Sequence, residues 1–248
     1  MGSAMAMEPN IPEAAEAALR QSWEVHRQAF GPILEPAFTE LPQARILLIN
    51  ALNHISRREV KRGMELLKEL KQYCIYDDDK AAWIFFVGLC YEMGGAKAQM
   101  LQWYADAGQY NHRFYLPYIK LAKAAHGDGE LEKAARYYQT GIECLLEEDQ
   151  PDGMILGSTY ANLASCYTML HRYADAEQAM LRAFSYPLQP GAYATAAILY
   201  AAMGQGAKTA EYLAQLKSTA PAAVPQIQAM TRQILDGTHP SFPRDEKH

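Results

Sequence analysis

Apolar residues recur along almost the whole chain at the three- and four-residue intervals of an α-helix. Alternating Val/Ile/Thr runs between Asn-Gly or Asp-Gly turns, the mark of β-hairpins, do not occur. Residues Asn10–Glu13 combine a cap residue, an early proline and a glutamate, which predicts a helix start there and a helix running to Gly31. Three prolines in residues 31–43 predict a broken connector, after which helices alternate with short turns.

The helices after this connector share a fixed internal spacing. In each of five blocks, a small or apolar residue is followed twelve positions later by another small residue or a methionine. Two antiparallel helices bury only one face against each other, so stacking the next pair buries the remainder. The five spaced pairs are Ala51 and Gly63, Gly88 and Met100, Ala122 and Ala134, Ala164 and Ala176, and Ile198 and Ala210.

This pattern resembles the tetratricopeptide repeat (TPR) family over about residues 44–222. The family places a large apolar and a small residue before a tyrosine, then a small residue and an aromatic one. The resemblance implies an all-α, right-handed α-solenoid of antiparallel helix pairs, with about five repeats, an N-terminal helix and a C-terminal capping helix. The copies with Met100 and Ile198 depart from the pattern. The best copies are Leu163-Ala164 with Tyr167, Ala176 and Met180, and Leu121-Ala122 with Ala134 and Tyr138.

Four segments are therefore predicted. Residues 1–43 hold a methionine-rich start that resembles an expression tag, an accessory helix and the proline-rich connector. Residues 44–222 form the repeat array, 223–237 a capping helix, and 238–248 a disordered tail. An insertion of eight residues near Glu147–Gly153 lengthens either a connector or the helix before it.

Composition narrows the class of protein without naming a function. The chain has 248 residues, half of them apolar and 21% charged, with a net charge of −5, which excludes disorder, a collagen-like fibre and a disulfide mini-protein. A net negative charge does not favour binding to the phosphate backbone of nucleic acids. No apolar run reaches the ~18–20 residues of a membrane span. The four cysteines lie at least 16 residues apart, which favours packed thiols in a cytoplasmic protein over a zinc site or catalytic thiol.

The sequence offers little support for an enzyme. It contains no GxGxxG, GxxxxGK[ST], HExxH or GxSxG motif, and its histidines are scattered. The run Asp77–Asp79 precedes an apolar helix, so helix capping is favoured over a metal site. We therefore expect no cofactor and no metal. A hydrolase or phosphatase would need a carboxylate or metal cluster that the sequence does not show.

The resemblance implies that the first helix of each pair lines a concave face. Helical spacing then gives a face that changes from aromatic, through basic, to small and polar, and that fits an extended or helical peptide with apolar and acidic groups. The alternative is that the aromatic residues are core beneath the N-terminal helix and that the lysines are merely solvated. The candidate peptide-binding residues are Phe85, Phe86, Leu89, Lys120, Lys123, His126, Asn162 and Ser165.

The favoured function is a non-catalytic scaffold or adaptor that binds a protein or peptide on this face. The alternative is a regulatory receptor module, similar to bacterial peptide receptors, that binds a short peptide and controls a partner. The Lys/Asn clamp by which some TPR domains hold a C-terminal carboxylate is absent, because only Lys120, Lys123 and Asn162 have suitable chemistry. A basic stretch at 44–72 and an acidic one at 143–152 suggest self-association as a further hypothesis.

Overall fold

The computed structural model describes residues 13–39 and 41–242, and within them all regular structure is helical. The described part of the chain forms two compact units, the first ending at Phe114 and the second beginning at Tyr115. Short 3-10 turns occur at Lys71–Tyr73 and Pro221–Ala223. The α-helices are α1 (Glu13–Leu34), α2 (Pro42–Ser56), α3 (Val60–Leu70), α4 (Asp77–Met93), α5 (Lys97–Tyr110), α6 (Tyr115–Gly127), α7 (Leu131–Leu146), α8 (Gly153–Met169), α9 (Tyr173–Ala183), α10 (Pro190–Ala202), α11 (Gly206–Thr219) and α12 (Val224–Leu235).

Consecutive helices pack as pairs, which confirms the predicted all-α repeat architecture. Helices α2/α3 and α4/α5 are the pairs of the first unit, and α6/α7, α8/α9 and α10/α11 those of the second. The small residues of the spacing pattern lie where helices approach most closely. Ala164 and Ala176 are fully buried, and a Cβ added to Gly88 would stand 3.0 Å from the ring of Tyr104. A larger side chain at these positions would separate the helices of a pair.

Helix α1 packs across α2 and α4 of the first unit. It is kinked at Phe30, whose backbone is not helical (φ −138°, ψ 22°), and it continues three residues beyond the predicted end at Gly31. The predicted start at Asn10 lies outside the described residues. His26 is buried, and its Nε2 lies 3.0 Å from Oδ1 of Asn53 on α2. A polar contact in the middle of this face fixes how α1 sits on α2.

Asp79 is a buried carboxylate in the first turn of α4. One oxygen accepts a hydrogen bond from the backbone N–H of Phe38 (2.6 Å), and the other accepts bonds from Ile75 (3.2 Å) and Tyr76 (3.0 Å). The aspartate therefore caps the start of α4, as the sequence predicts, and also holds the turn that follows α1.

The second unit closes with α12, which packs against α10 and α11. The expectation of disorder from Thr238 is wrong for residues 238–242. Phe242 is buried beside Ala201 and Ile234, and its ring lies 5.7 Å from that of His171. An aromatic side chain with an apolar site to fill orders this short segment. Residues 243–248 of the predicted tail lie outside the described residues, and none of the described helices is both long and apolar enough to cross a bilayer.

Candidate functional site

The first helices of the three pairs in the second unit, α6, α8 and α10, share a groove that contains two pockets. Local sequence sets where each helix begins. Oδ1 of Asp152 caps α8 by accepting the N–H groups of Met154 (2.8 Å) and Ile155 (3.0 Å). Pro190 is the first residue of α10, where a missing N–H costs nothing. Residues 147–152 form the connector that leads into α8.

We call the first pocket, of about 330 Å³, the polar pocket. The side chains of Lys123 and Asn162 line this pocket, and neither makes a hydrogen bond or an ion pair with another described residue. Oγ of Ser158 is buried and has no hydrogen-bond partner among the described residues. The ammonium group of Lys123 and the amide of Asn162 are accessible, and they make this pocket suited to a polar ligand group. It is lined by Leu116, Ile119, Lys123, Met154, Ile155, Ser158, Thr159, Ala161, Asn162, Gln189, Gly191, Ala192 and Thr195.

We call the second pocket, of about 350 Å³, the apolar pocket. The hydroxyls of Thr168 and Thr195 donate to carbonyl oxygens of their own helices (2.7 and 3.3 Å), so neither needs a ligand partner. Burial lowers the pKa of His126, so its imidazole is neutral near pH 7. The pocket therefore carries no charge of its own. It is lined by His126, Gly127, Gly129, Leu131, Ser165, Thr168, Met169, Thr195, Ile198 and Met230.

Comparisons with known proteins give a fold and no close relative. No protein-family profile matches the sequence, and no curated protein is similar to it in sequence. A structure of pilF from Pseudomonas aeruginosa matches 86% of this chain and 96% of its own at 15% identity, with a TM-score of 0.62. A TPR protein of Thermus thermophilus matches 77% of this chain and 98% of its own at 14% identity, with a TM-score of 0.51. The chain has the TPR fold.

A third similar structure is the APC/C hetero-tetramer Cut9-Hcn1, with a TM-score of 0.63 and 14% identity. The match covers 88% of this chain but 40% of that one. At such identities the likeness extends to the fold and no further. The roles of individual residues must therefore come from the groove itself.

The helix pairs of the second unit bring four of the eight predicted residues together. Lys123 and Asn162 both line the polar pocket, and His126 and Ser165 both line the apolar pocket. Lys120 lies half-buried on α6 and lines neither of these two pockets.

The assignment of Phe85 and Phe86 to an exposed binding face is wrong. Both side chains are 0% exposed, because helix α1 covers this part of α4. The ring of Phe30 lies 6.2 and 5.3 Å from theirs, and Tyr104 and Phe114 each lie 5.3 Å from Phe85. The two phenylalanines are core residues of the first unit, while Leu89 on the same helix is half-buried.

Sequence reasoning missed several groove residues that come from outside the concave helix faces. Met230 belongs to the capping helix α12, and Leu131 is the first residue of α7. Gln189 immediately precedes Pro190, and this helix-start signal was visible in the sequence. The contact of Met230 with the apolar pocket had no local signal, because it depends on how α12 packs on α10.

Proposed function

We propose that this chain is a non-catalytic scaffold that binds a peptide segment of a partner protein in the groove of the second unit. The observation that carries the proposal is the polar pocket, where Lys123 and Asn162 face an apolar wall without partners of their own among the described residues. Polar groups of this kind, set in an apolar cleft, give a binding site its orientation and specificity.

The chemistry of the pocket defines the class of ligand. The ammonium group of Lys123 favours a carboxylate, so an acidic peptide is preferred over a basic one. The amide of Asn162 offers both a donor and an acceptor, which suits the main chain of a peptide. Leu116, Ile119 and Ile155 add an apolar wall for a side chain of that peptide.

A cytoplasmic site of action belongs to the same proposal. All four cysteines are free thiols, and Cys90, Cys144 and Cys166 are buried. Burial raises the pKa of each of these three thiols to about 11 or 12, so they are packing residues that suit a reducing compartment.

The test is selection of peptides from a phage-displayed library of random 12-residue sequences on the immobilised full chain. Selected sequences are synthesised, and their Kd values are measured by isothermal titration. Lys123→Ala and Asn162→Ala are each expected to weaken binding by roughly 10- to 100-fold, since a hydrogen bond to a charged or buried group is lost.

Arg136→Ala is the matched control, because this exposed cation on α7 lines neither pocket. It should leave the Kd unchanged. Circular dichroism must show native helicity in all three variants. The proposal is overturned if no acidic peptide is enriched, or if enriched peptides bind Lys123→Ala and Asn162→Ala as tightly as the unaltered protein.

A further inference from the structure

The two pockets repeat along the groove with the same step on two helices. On α6, Ile119 lines the polar pocket and His126, seven residues later, lines the apolar pocket. On α8, Ser158 and Ser165 show the same seven-residue step between the same two pockets. Seven residues of α-helix span about 10.5 Å. These residues therefore offset the two pockets by roughly 10 Å along the axes of α6 and α8.

Lys123 and Asn162 fall between these marker positions. Lys123 lies four residues after Ile119 and three before His126, and Asn162 occupies the corresponding place on α8. Both residues line the polar pocket on the side of the apolar one, so a ligand that occupies both pockets contacts the ammonium and the amide. Thr195 lines both pockets, so their walls are continuous across α10.

We propose that the groove is specific for an extended segment with two apolar side chains three residues apart and an acidic residue between them. This inference rests on the proposed function and specifies its ligand. In a polyproline II conformation, side chains at i and i+3 point the same way and stand about 9.3 Å apart. A β-strand offers spacings of about 7 Å at i+2 and about 13 Å at i+4, both of which fit the pockets less well.

An extended ligand also explains the unpartnered polar groups better than a helical one. The amide of Asn162 is part-exposed and has no hydrogen-bond partner among the described residues, so it is available to the main chain of a ligand. A polyproline II segment leaves its backbone N–H and C=O groups free, whereas a helix bonds them internally. A helical ligand would also be about 10–12 Å wide. Because α8 packs directly against α10, the floor of the groove between them is narrow for a ligand of that width.

The apolar pocket is suited to the second apolar anchor. Its threonine hydroxyls are bonded to their own helices, and its histidine is neutral near pH 7. Met169 and Met230 add flexible thioether side chains that adapt to the shape of an inserted group.

A spacing scan with synthetic peptides tests the inference. Fluorescein-labelled Gly/Ser peptides carry two leucines at separations from i+2 to i+7, with one aspartate next to the first leucine, in both chain directions. Fluorescence anisotropy is expected to give the tightest binding at i+3 in one direction, about 10-fold tighter than at i+2 or i+4, because only one anchor is seated otherwise. Tightest binding at i+7, or a Kd independent of spacing, would overturn the inference.

Two variants probe the apolar pocket itself. Ser165→Phe fills it and should remove the benefit of the second leucine, whereas Ser218→Phe on the exposed side of α11 should not. Met230→Ala enlarges the pocket and should shift preference at the second anchor from leucine to phenylalanine. That shift gives a result even if Ser165→Phe fails to fold, and an unchanged preference would contradict the inference.

The two levels of the proposal fail separately. If Lys123→Ala weakens binding but the second leucine has no effect, the proposed function stands and the two-anchor ligand is wrong. If Lys123→Ala has no effect on any of the peptides, both are wrong.

Discussion

Asp79→Ala should strongly destabilise the first unit. The carboxylate accepts three backbone N–H groups, from Phe38 at 2.6 Å, Tyr76 at 3.0 Å and Ile75 at 3.2 Å. Hydrogen bonds to a charged group contribute about 1.5–3 kcal/mol each, and a buried N–H left unpaired costs about 1–3 kcal/mol. Water can reach the part-buried N–H groups of Ile75 and Tyr76 but not the buried one of Phe38. We therefore expect a loss of about 3–5 kcal/mol rather than the full sum.

The assay is urea unfolding followed by tryptophan fluorescence. All three tryptophans, Trp23, Trp83 and Trp103, lie in the first unit, so their emission reports on the part of the protein that contains Asp79. With a urea dependence of about 2 kcal/mol per molar, the expected loss lowers the transition midpoint by about 1.5–2.5 M. Asp79→Asn keeps one acceptor oxygen and should fall between the alanine variant and the unaltered protein.

Asp77→Ala is the control, since it removes a carboxylate from the same helical turn. The Asp77 side chain is 70% exposed and pairs with Lys80 at 3.0 Å. An exposed pair of this kind contributes about 0–1 kcal/mol. If Asp79→Ala costs no more than Asp77→Ala, the three hydrogen bonds do not hold α4 and the turn after α1 together, and the reasoning is refuted.

Two further predictions concern the second unit and are followed by circular dichroism. Gly157→Ala should lower the free energy of unfolding by about 1–3 kcal/mol, because the added Cβ would lie 2.6 Å from the carbonyl oxygen of Pro187. Gly206→Ala is the control: its Cβ would have nothing within 4 Å, so it should be neutral or slightly stabilising. Equal effects of the two changes would contradict the close approach of α8 to the backbone of Pro187. Burial lowers the pKa of His126, so as the pH falls the imidazole is protonated more readily in the unfolded chain than in the folded one. The free energy of unfolding should therefore decrease below about pH 6.5, and His126→Gln should reduce this pH dependence. An unchanged pH dependence in the variant would exclude His126 as its source.

Helical periodicity predicts the direction of a side chain from its helix but not its exposure. The spacing along α6 and α8 placed Lys123 and Asn162 on one side of their helices, and that side lines the polar pocket. The same reasoning predicted that Phe85 and Phe86 are exposed on the corresponding side of α4. Both side chains are instead fully buried. Periodicity fixes which way a side chain points from its own helix, whereas exposure depends on what packs against that side from elsewhere in the chain.

The repeat register makes this difference between the two units informative. Leu89 in the first unit occupies the repeat position of Lys123 in the second, and Phe86 occupies that of Asn162. In the first unit α1 packs on α4, and the ring of Phe30 lies 5.3 Å from that of Phe86. Both positions are apolar there. In the second unit the same positions carry an ammonium and an amide that no described residue satisfies. A repeat position is therefore apolar where another helix of the same unit covers it, and it carries polar groups where it stays accessible to solvent and to a ligand.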